Sequence, residues 1–110
     1  MYKHIQKSEI LELKNQVSYQ PNQVSSKTIS QNKHVSITLF SFDKDEEIGA
    51  HKSKGEAMVT ILDGKAKVTI DDKDYFLEEG QTIVMPANIM HALYAVERFK
   101  MLLTVVFPAE

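Results

Sequence analysis

Among the 110 residues of this chain, the four histidines are the side chains best suited to acid–base or metal chemistry, because imidazole changes charge near neutral pH and is a common metal ligand. His4 lies in the polar start and His34 opens a run after Asn32-Lys33; both read as exposed bystanders. His51 and His91 stand inside patterned segments, His51-Lys52-Ser53-Lys54-Gly55-Glu56-Ala57 and Gly80-Gln81-Thr82-Ile83-Val84-Met85-Pro86-Ala87-Asn88-Ile89-Met90-His91. Neutral imidazole suits Zn, Ni, Cu or Fe. A histidine pair alone leaves the other coordination positions to water or an outside donor. Glu56 is the nearest spare carboxylate. There is no cysteine, which excludes disulfides, thiolate metal sites and cysteine nucleophiles. Ser53 lies close to His51, but a serine nucleophile needs a bonded base and an orienting third group, and no such partner is evident. No glycine-rich phosphate loop occurs.

The elements that must position these residues read as strands. Val35, Ile37 and Leu39 alternate with Ser36 and Thr38, the period of a half-buried strand. Ala57 to Leu62 is a short apolar run before Asp63-Gly64, a pair that predicts a hairpin turn because the favoured turn needs positive φ. Ala66, Val68 and Ile70 alternate next, and Asp71–Asp74 is a charged turn before Tyr75-Phe76-Leu77. Glu78-Glu79-Gly80 turns again, and Thr82 to Met85 is a strand closed by Pro86. His91 to Val96 and Phe99 to Phe107 complete the series as two further strands. Upstream, Ser8 to Leu13 reads as a short helix or an edge strand, Tyr19–Gln23 as a turn around Pro21, and Val24 to Ile29 as a strand. Strand-like runs with turns between them at this spacing predict an antiparallel sandwich or small barrel.

Length allows one domain. The 43% hydrophobic and 25% charged content is that of a globular chain, which excludes disordered and collagen-like classes. A net charge of −2 argues against nucleic-acid binding through bulk charge. No apolar run approaches a membrane span. The polar start lacks a signal-peptide core, and a cytoplasmic location is expected.

Over about residues 35–107, most of its length, the chain resembles the cupin family. The family's first motif is G-x5-H-x-H-x3-E-x6-G and its second is G-x5-P-x-G-x2-H-x3-N. Gly80, Pro86 and His91 match the second motif, with Asn88 where glycine is usual and Ala95 where the closing asparagine falls. Asn tolerates positive φ. His51 and Gly64 match the first motif, whose opening glycine falls at Asp45. Cupin metal sites usually take two histidines and a glutamate from the first motif and one histidine from the second. Those positions here hold His51, Ser53, Ala57 and His91, so two ligands are kept and two are replaced by small residues. The chain is also similar to small bacterial single-domain cupins of unassigned function.

The resemblance implies an all-β cupin-type double-stranded β-helix, a jelly-roll barrel of two antiparallel sheets. Residues 1–34 would be an N-terminal extension of the same fold and residues 35–110 the barrel. Strand period two puts His51, Ser53, Ala57 and Val59 on one face, which in a cupin lines the bowl, and His91 enters from a neighbouring strand. The expected pocket comprises Ser53, Ala57, Val59, Ile37, Met85, Leu93 and Met101. Lys52 and Lys54 are expected to face water. Candidate metal ligands are His51, His91 and, through a bulge at Gly55, Glu56; the ion would be Zn, Ni, Mn or Fe. Three functions follow. The first is a small-molecule-binding module with a degenerate metal site. The second is a metal-dependent oxygenase or isomerase using the reduced His51/His91 site, and the third an interaction protein with an idle cavity. A homodimer is expected, with the N-terminal strand available to cover a partner's sheet edge, and neither nucleic acid nor membrane as partner.

Overall fold

In a computed structural model, which describes residues 1–109, seven strands follow a short N-terminal region. They are β1 (Val24–Gln31), β2 (Val35–Phe42), β3 (Glu47–His51), β4 (Glu56–Ile70), β5 (Lys73–Glu78), β6 (Thr82–Met85) and β7 (His91–Val106). All pairings are antiparallel. The two long strands, β4 and β7, pair with each other along most of their length and each serves two layers. Their Glu56–Ile61 and Met101–Val106 halves lie between β6 on one side and β2, then β1, on the other. Their Ala66–Ile70 and His91–Ala95 halves lie between β5 and β3. Two facing antiparallel sheets thus share two bent strands, which is the expected jelly-roll barrel.

The bend corrects the expected Asp63-Gly64 hairpin. The chain runs straight through this pair, and the β4–β7 register slips between Ile61 and Asp63 and again between Gly64 and Ala66. Gly64 does have positive φ, +77°, and a Cβ there would run into the Arg98 carbonyl. Its left-handed conformation makes a bulge that turns the strand from one sheet to the other instead of reversing it. The same corner unites the two runs expected at the C-terminal end. β7 continues through Glu97 and Arg98, which are exposed where it crosses between layers.

The true reversals use other residues. Asp71-Asp72 joins β4 to β5 with Ile70 opposite Lys73, and Asp71 takes φ 56°. Glu79-Gly80 joins β5 to β6, with Gly80 at φ 86°. Of the expected Ser8–Leu13 element, residues 8–12 form neither a helix nor a strand. A 3-10 turn occupies Leu13–Asn15 instead, because one short apolar stretch cannot nucleate a helix unaided.

There are two apolar clusters. The barrel interior holds Val59, Ile61, Val68 and Met101 around the stacked rings of Phe42 and Phe99, whose centroids are 4.3 Å apart. The second cluster lies outside the barrel wall. There Val17, Ile29 and Leu39 are buried with Ile5, Leu13, Ile37 and Leu102 packed against them. Full burial of a side chain such as Leu39 contributes ~1.5–3 kcal/mol, so the N-terminal segment seals a face of the sheet. Lys3 N–H also donates to the Ile29 carbonyl at 2.8 Å, covering part of the β1 edge. Both faces of β2 are therefore occupied, with Ile37 and Leu39 outward and Phe40 and Phe42 inward.

Candidate functional site

His51 ends β3 and His91 opens β7, and the two are direct register partners across that ladder. Their Nε2 atoms approach to 3.1 Å, with ring centroids 4.3 Å apart and planes at 76°. His51 is exposed, and its Nδ1 lies 2.9 Å from the Gly49 carbonyl. A carbonyl can only accept, so Nδ1 carries the proton and Nε2 of the neutral ring is a lone pair. His91 is only 3% exposed. Burial, then the charge of His51, hold its pKa below the ordinary histidine value, and the Ile89 backbone pulls weakly the other way.

A neutral pair closes in one way. His91 donates Nε2–H to His51 Nε2, and its own Nδ1 becomes a bare acceptor, buried without a hydrogen-bond partner. The Ile89 backbone lies near enough to favour a protonated ring but makes no bond of standard geometry. An orphan buried acceptor costs roughly 1–3 kcal/mol. A cation between the two Nε2 atoms would instead leave His91 its proton at Nδ1, the side on which the Ile89 backbone favours a protonated ring. Two imidazoles at ~2.0–2.1 Å from one ion, at angles between right and tetrahedral, sit roughly 2.9–3.4 Å apart, and the observed separation falls within that range. The pair therefore fits a metal held through both Nε2 atoms, with the His51 tautomer fixed by a backbone carbonyl as is usual for metal-ligating histidines.

The remaining family positions supply no ligand. Ala57 is buried in the bowl wall. Ser53 Oγ accepts from Gly55 N–H at 3.1 Å and its carbonyl accepts from Asn88 N–H at 2.8 Å, so this residue ties the β3–β4 loop to the β6–β7 loop. Glu56 is not brought to the pair. Alternation turns it to the outer face, in a depression with Lys54, Ala87 and Pro108. Among the described residues, no group of three or more His, Asp or Glu side chains could hold an ion together.

The pair stands at one end of a cavity of about 280 Å³. Of the expected pocket residues, Ser53, Ala57, Met85, Leu93 and Met101 line it. Val59 is fully buried in the core, beyond the cavity. Ile37 lies on the opposite face of β2, in the outer cluster. Phe40, Ile48, Leu103 and Val105 complete the apolar wall, and the sequence reading missed them as pocket residues. The signal that could have found two of them is the alternation of Met101, Leu103 and Val105 in the sequence, which puts these residues on one strand face. Lys52 is exposed, as strand alternation expects, and it also lies at the rim of the cavity. His4 and His34 are exposed.

The loops that carry the pair keep the family's backbone without its glycines. Asp45 has φ 70° and Asn88 φ 63°, and both are residue types that tolerate this region. A cupin-domain family model matches residues 38–107. This chain belongs to the cupin domain family. A conserved protein of unknown function from Streptococcus pyogenes is 51% identical, with a TM-score of 0.96 over 99% of this chain and 96% of that one. A cupin superfamily protein from Desulfitobacterium hafniense is 30% identical, with a TM-score of 0.94 over 98% and 99%. A cupin 2 conserved barrel domain protein from Leptotrichia buccalis is 39% identical, with a TM-score of 0.85 over 87% of this cupin and 47% of that chain. No curated protein matches the sequence.

Proposed function

We propose that this cupin binds a small, largely apolar molecule in the bowl, above a metal site reduced to His51 and His91. The observation that carries the reading is the composition of the wall: seven large apolar side chains and Ala57 surround a cavity of about 280 Å³ whose few polar residues include the contacting His51 and His91. That volume is near the lower bound of ~300 Å³ for small-molecule sites. Native mass spectrometry of protein purified without affinity tags or chelators tests it. A bound small molecule, lost on Ala57→Leu, is expected. A bowl that carries nothing in the wild type and takes up no apolar probe overturns it.

A second reading, a metal-dependent enzyme of oxygenase or isomerase type, draws support from the convergent Nε2 atoms. His51 and His91 would hold the ion, and a bound ion would supply a Lewis acid at the bowl's polar end. Metal analysis after incubation with Zn, Ni, Mn and Fe(II) separates the readings. About one ion per chain, lost in both His51→Ala and His91→Ala, favours the enzyme, whereas a stoichiometry below about one tenth removes it.

The same proposal takes residues 1–34 as an extension folded with the barrel, a cytoplasmic location and a homodimer. Met58, Val84 and Val106 support the dimer, since they are exposed together on the outer face of β4, β6 and β7. A solution mass near 12.5 kDa at micromolar concentration overturns it. No helix among the described residues is long and apolar enough to cross a membrane.

A further inference from the structure

We infer that the bowl's occupant is a compact monocarboxylate, seated with its carboxylate at Lys52 and Ser53 and its hydrocarbon body against Phe40, Leu93 and Met101. The inference rests on the small-molecule reading above and adds the ligand's charge and size. It starts from an asymmetry of charge. The chain carries fifteen acidic side chains against thirteen basic ones, yet among the described residues no acidic side chain lines the bowl. Glu56, the acidic residue nearest in sequence to the rim, lies in a separate depression on the outer face.

The polar residues that do line the cavity are His51, Lys52, Ser53 and His91. Three of them are consecutive in the loop that leaves β3, so the polar end is a single patch. None can become negative near neutral pH. Lys52 is a full positive charge, the histidine pair is neutral or positive, and Ser53 uses an oxygen lone pair on Gly55 N–H, leaving its own O–H to donate. Lys52 is exposed, so water meets its charge while the bowl is empty, and a carboxylate at the rim would accept from both lysine and serine, the lysine bond being charge-assisted on both sides. The apolar wall asks for a body without further polar groups, since each would be buried unpaired. Filled to the density of a protein interior, about 280 Å³ takes at most about fifteen non-hydrogen atoms. An aryl or branched aliphatic acid meets all three conditions, and its ring or branch would pack on Phe40.

Phenylacetate, whose roughly ten non-hydrogen atoms fit within that capacity, is a suitable probe, and phenylacetamide is its neutral isostere. Titrations of the metal-free full chain, followed by calorimetry and by methyl NMR, are read for Leu93 and Met101. Phenylacetate is expected to bind about ten-fold more tightly than the amide and to shift those methyls. Lys52→Gln is expected to weaken the acid about five-fold while leaving the amide unchanged. Equal or tighter binding of the amide overturns the anionic ligand but leaves a small-molecule bowl. Acid binding that is indifferent to Lys52→Gln, or that appears only after zinc is added, overturns the assignment of the carboxylate to this loop. No methyl shift with either probe overturns both this inference and the small-molecule reading.

Discussion

Replacing His91 with leucine should make the protein more stable. In the metal-free chain at neutral pH the pair carries one internal bond, Nε2 to Nε2 at 3.1 Å, worth a net ~0.5–1.5 kcal/mol. Against it stands the buried Nδ1 with no partner, at roughly 1–3 kcal/mol. His91→Leu removes both terms, fills similar space and adds apolar surface beside Leu93 and Ile48. His51 is exposed, so water meets its freed Nε2 at little cost. The balance favours the variant by about 1 kcal/mol, or about 4 °C in Tm for a domain of this size. The advantage should grow in acid. His91 has a pKa depressed below 6.5 in the folded chain, so as pH falls the unfolded chain takes up its proton first. Wild-type stability present above about pH 6.5 is then lost as pH falls towards the folded value. The variant lacks that loss. Urea unfolding in EDTA at pH 8 and at stepwise lower pH measures both effects. A variant less stable than the wild type by more than about 1 kcal/mol at pH 8 would refute the reasoning, because Nδ1 would then have to be bonded and the pair would be a structural feature.

Gly64→Ala should cost more than about 2 kcal/mol, since left-handed φ alone costs an L-residue roughly 1–2 kcal/mol and the new Cβ meets the Arg98 carbonyl; a change within 0.5 kcal/mol on the scale of ordinary surface substitutions would contradict the bulge. Tyr19→Phe should lose about 1 kcal/mol in chemical denaturation, because Tyr19 donates to Asp63 Oδ2 at 2.6 Å beneath the Arg98 guanidinium; an unchanged midpoint would show that this bond adds nothing to the hold on the N-terminal segment. Ser53→His with Ala57→Glu completes the family's ligand set. The double variant should be destabilised without metal, by a buried carboxylate, and should regain stability with added zinc to a greater degree than the wild type does. A melting temperature indifferent to zinc would mean that the two positions do not face the pair.

Much of the barrel could be read from turn chemistry. Thr82–Met85 emerges as a strand because Pro86 ends it, and Asp71-Asp72 as a reversal because its flanks alternate. The errors share a cause. Left-handed glycine serves a two-residue turn and a bulge equally well, so Asp63-Gly64 could not tell reversal from bend. Glu97 and Arg98 look like a break in a strand, whereas they are where β7 passes between sheets and meets solvent. On β2 the alternation of Val35, Ile37 and Leu39 identified a buried face correctly, but N-terminal residues cover that face. The bowl lies behind Phe40, and only tertiary placement of residues 1–34 separates the two. Motif spacing brought His51 and His91 together across forty positions of sequence. It could not say that Glu56 stays outside, because that depended on whether Gly55 bulges.

The site shows which parts of a cupin centre depend on the ligands and which do not. The loops that aim the two histidines are held by backbone conformation and by bonds that involve neither ring. Asp45 and Asn88 take left-handed φ, Asp45 N–H donates to the Ala95 carbonyl at 2.9 Å, and Asn88 N–H donates to the Ser53 carbonyl at 2.8 Å. Ser53 Oγ then fastens Gly55. A metal is thus not needed to bring His51 and His91 into register, and serine and alanine can stand at the other ligand positions without loss of the frame. With the frame secured by the backbone, the wall is free to be apolar and its one polar end free to be positive. Binding specificity can then reside in a few rim residues, and Lys52 is the one whose charge the fold leaves without an opposing carboxylate in the bowl.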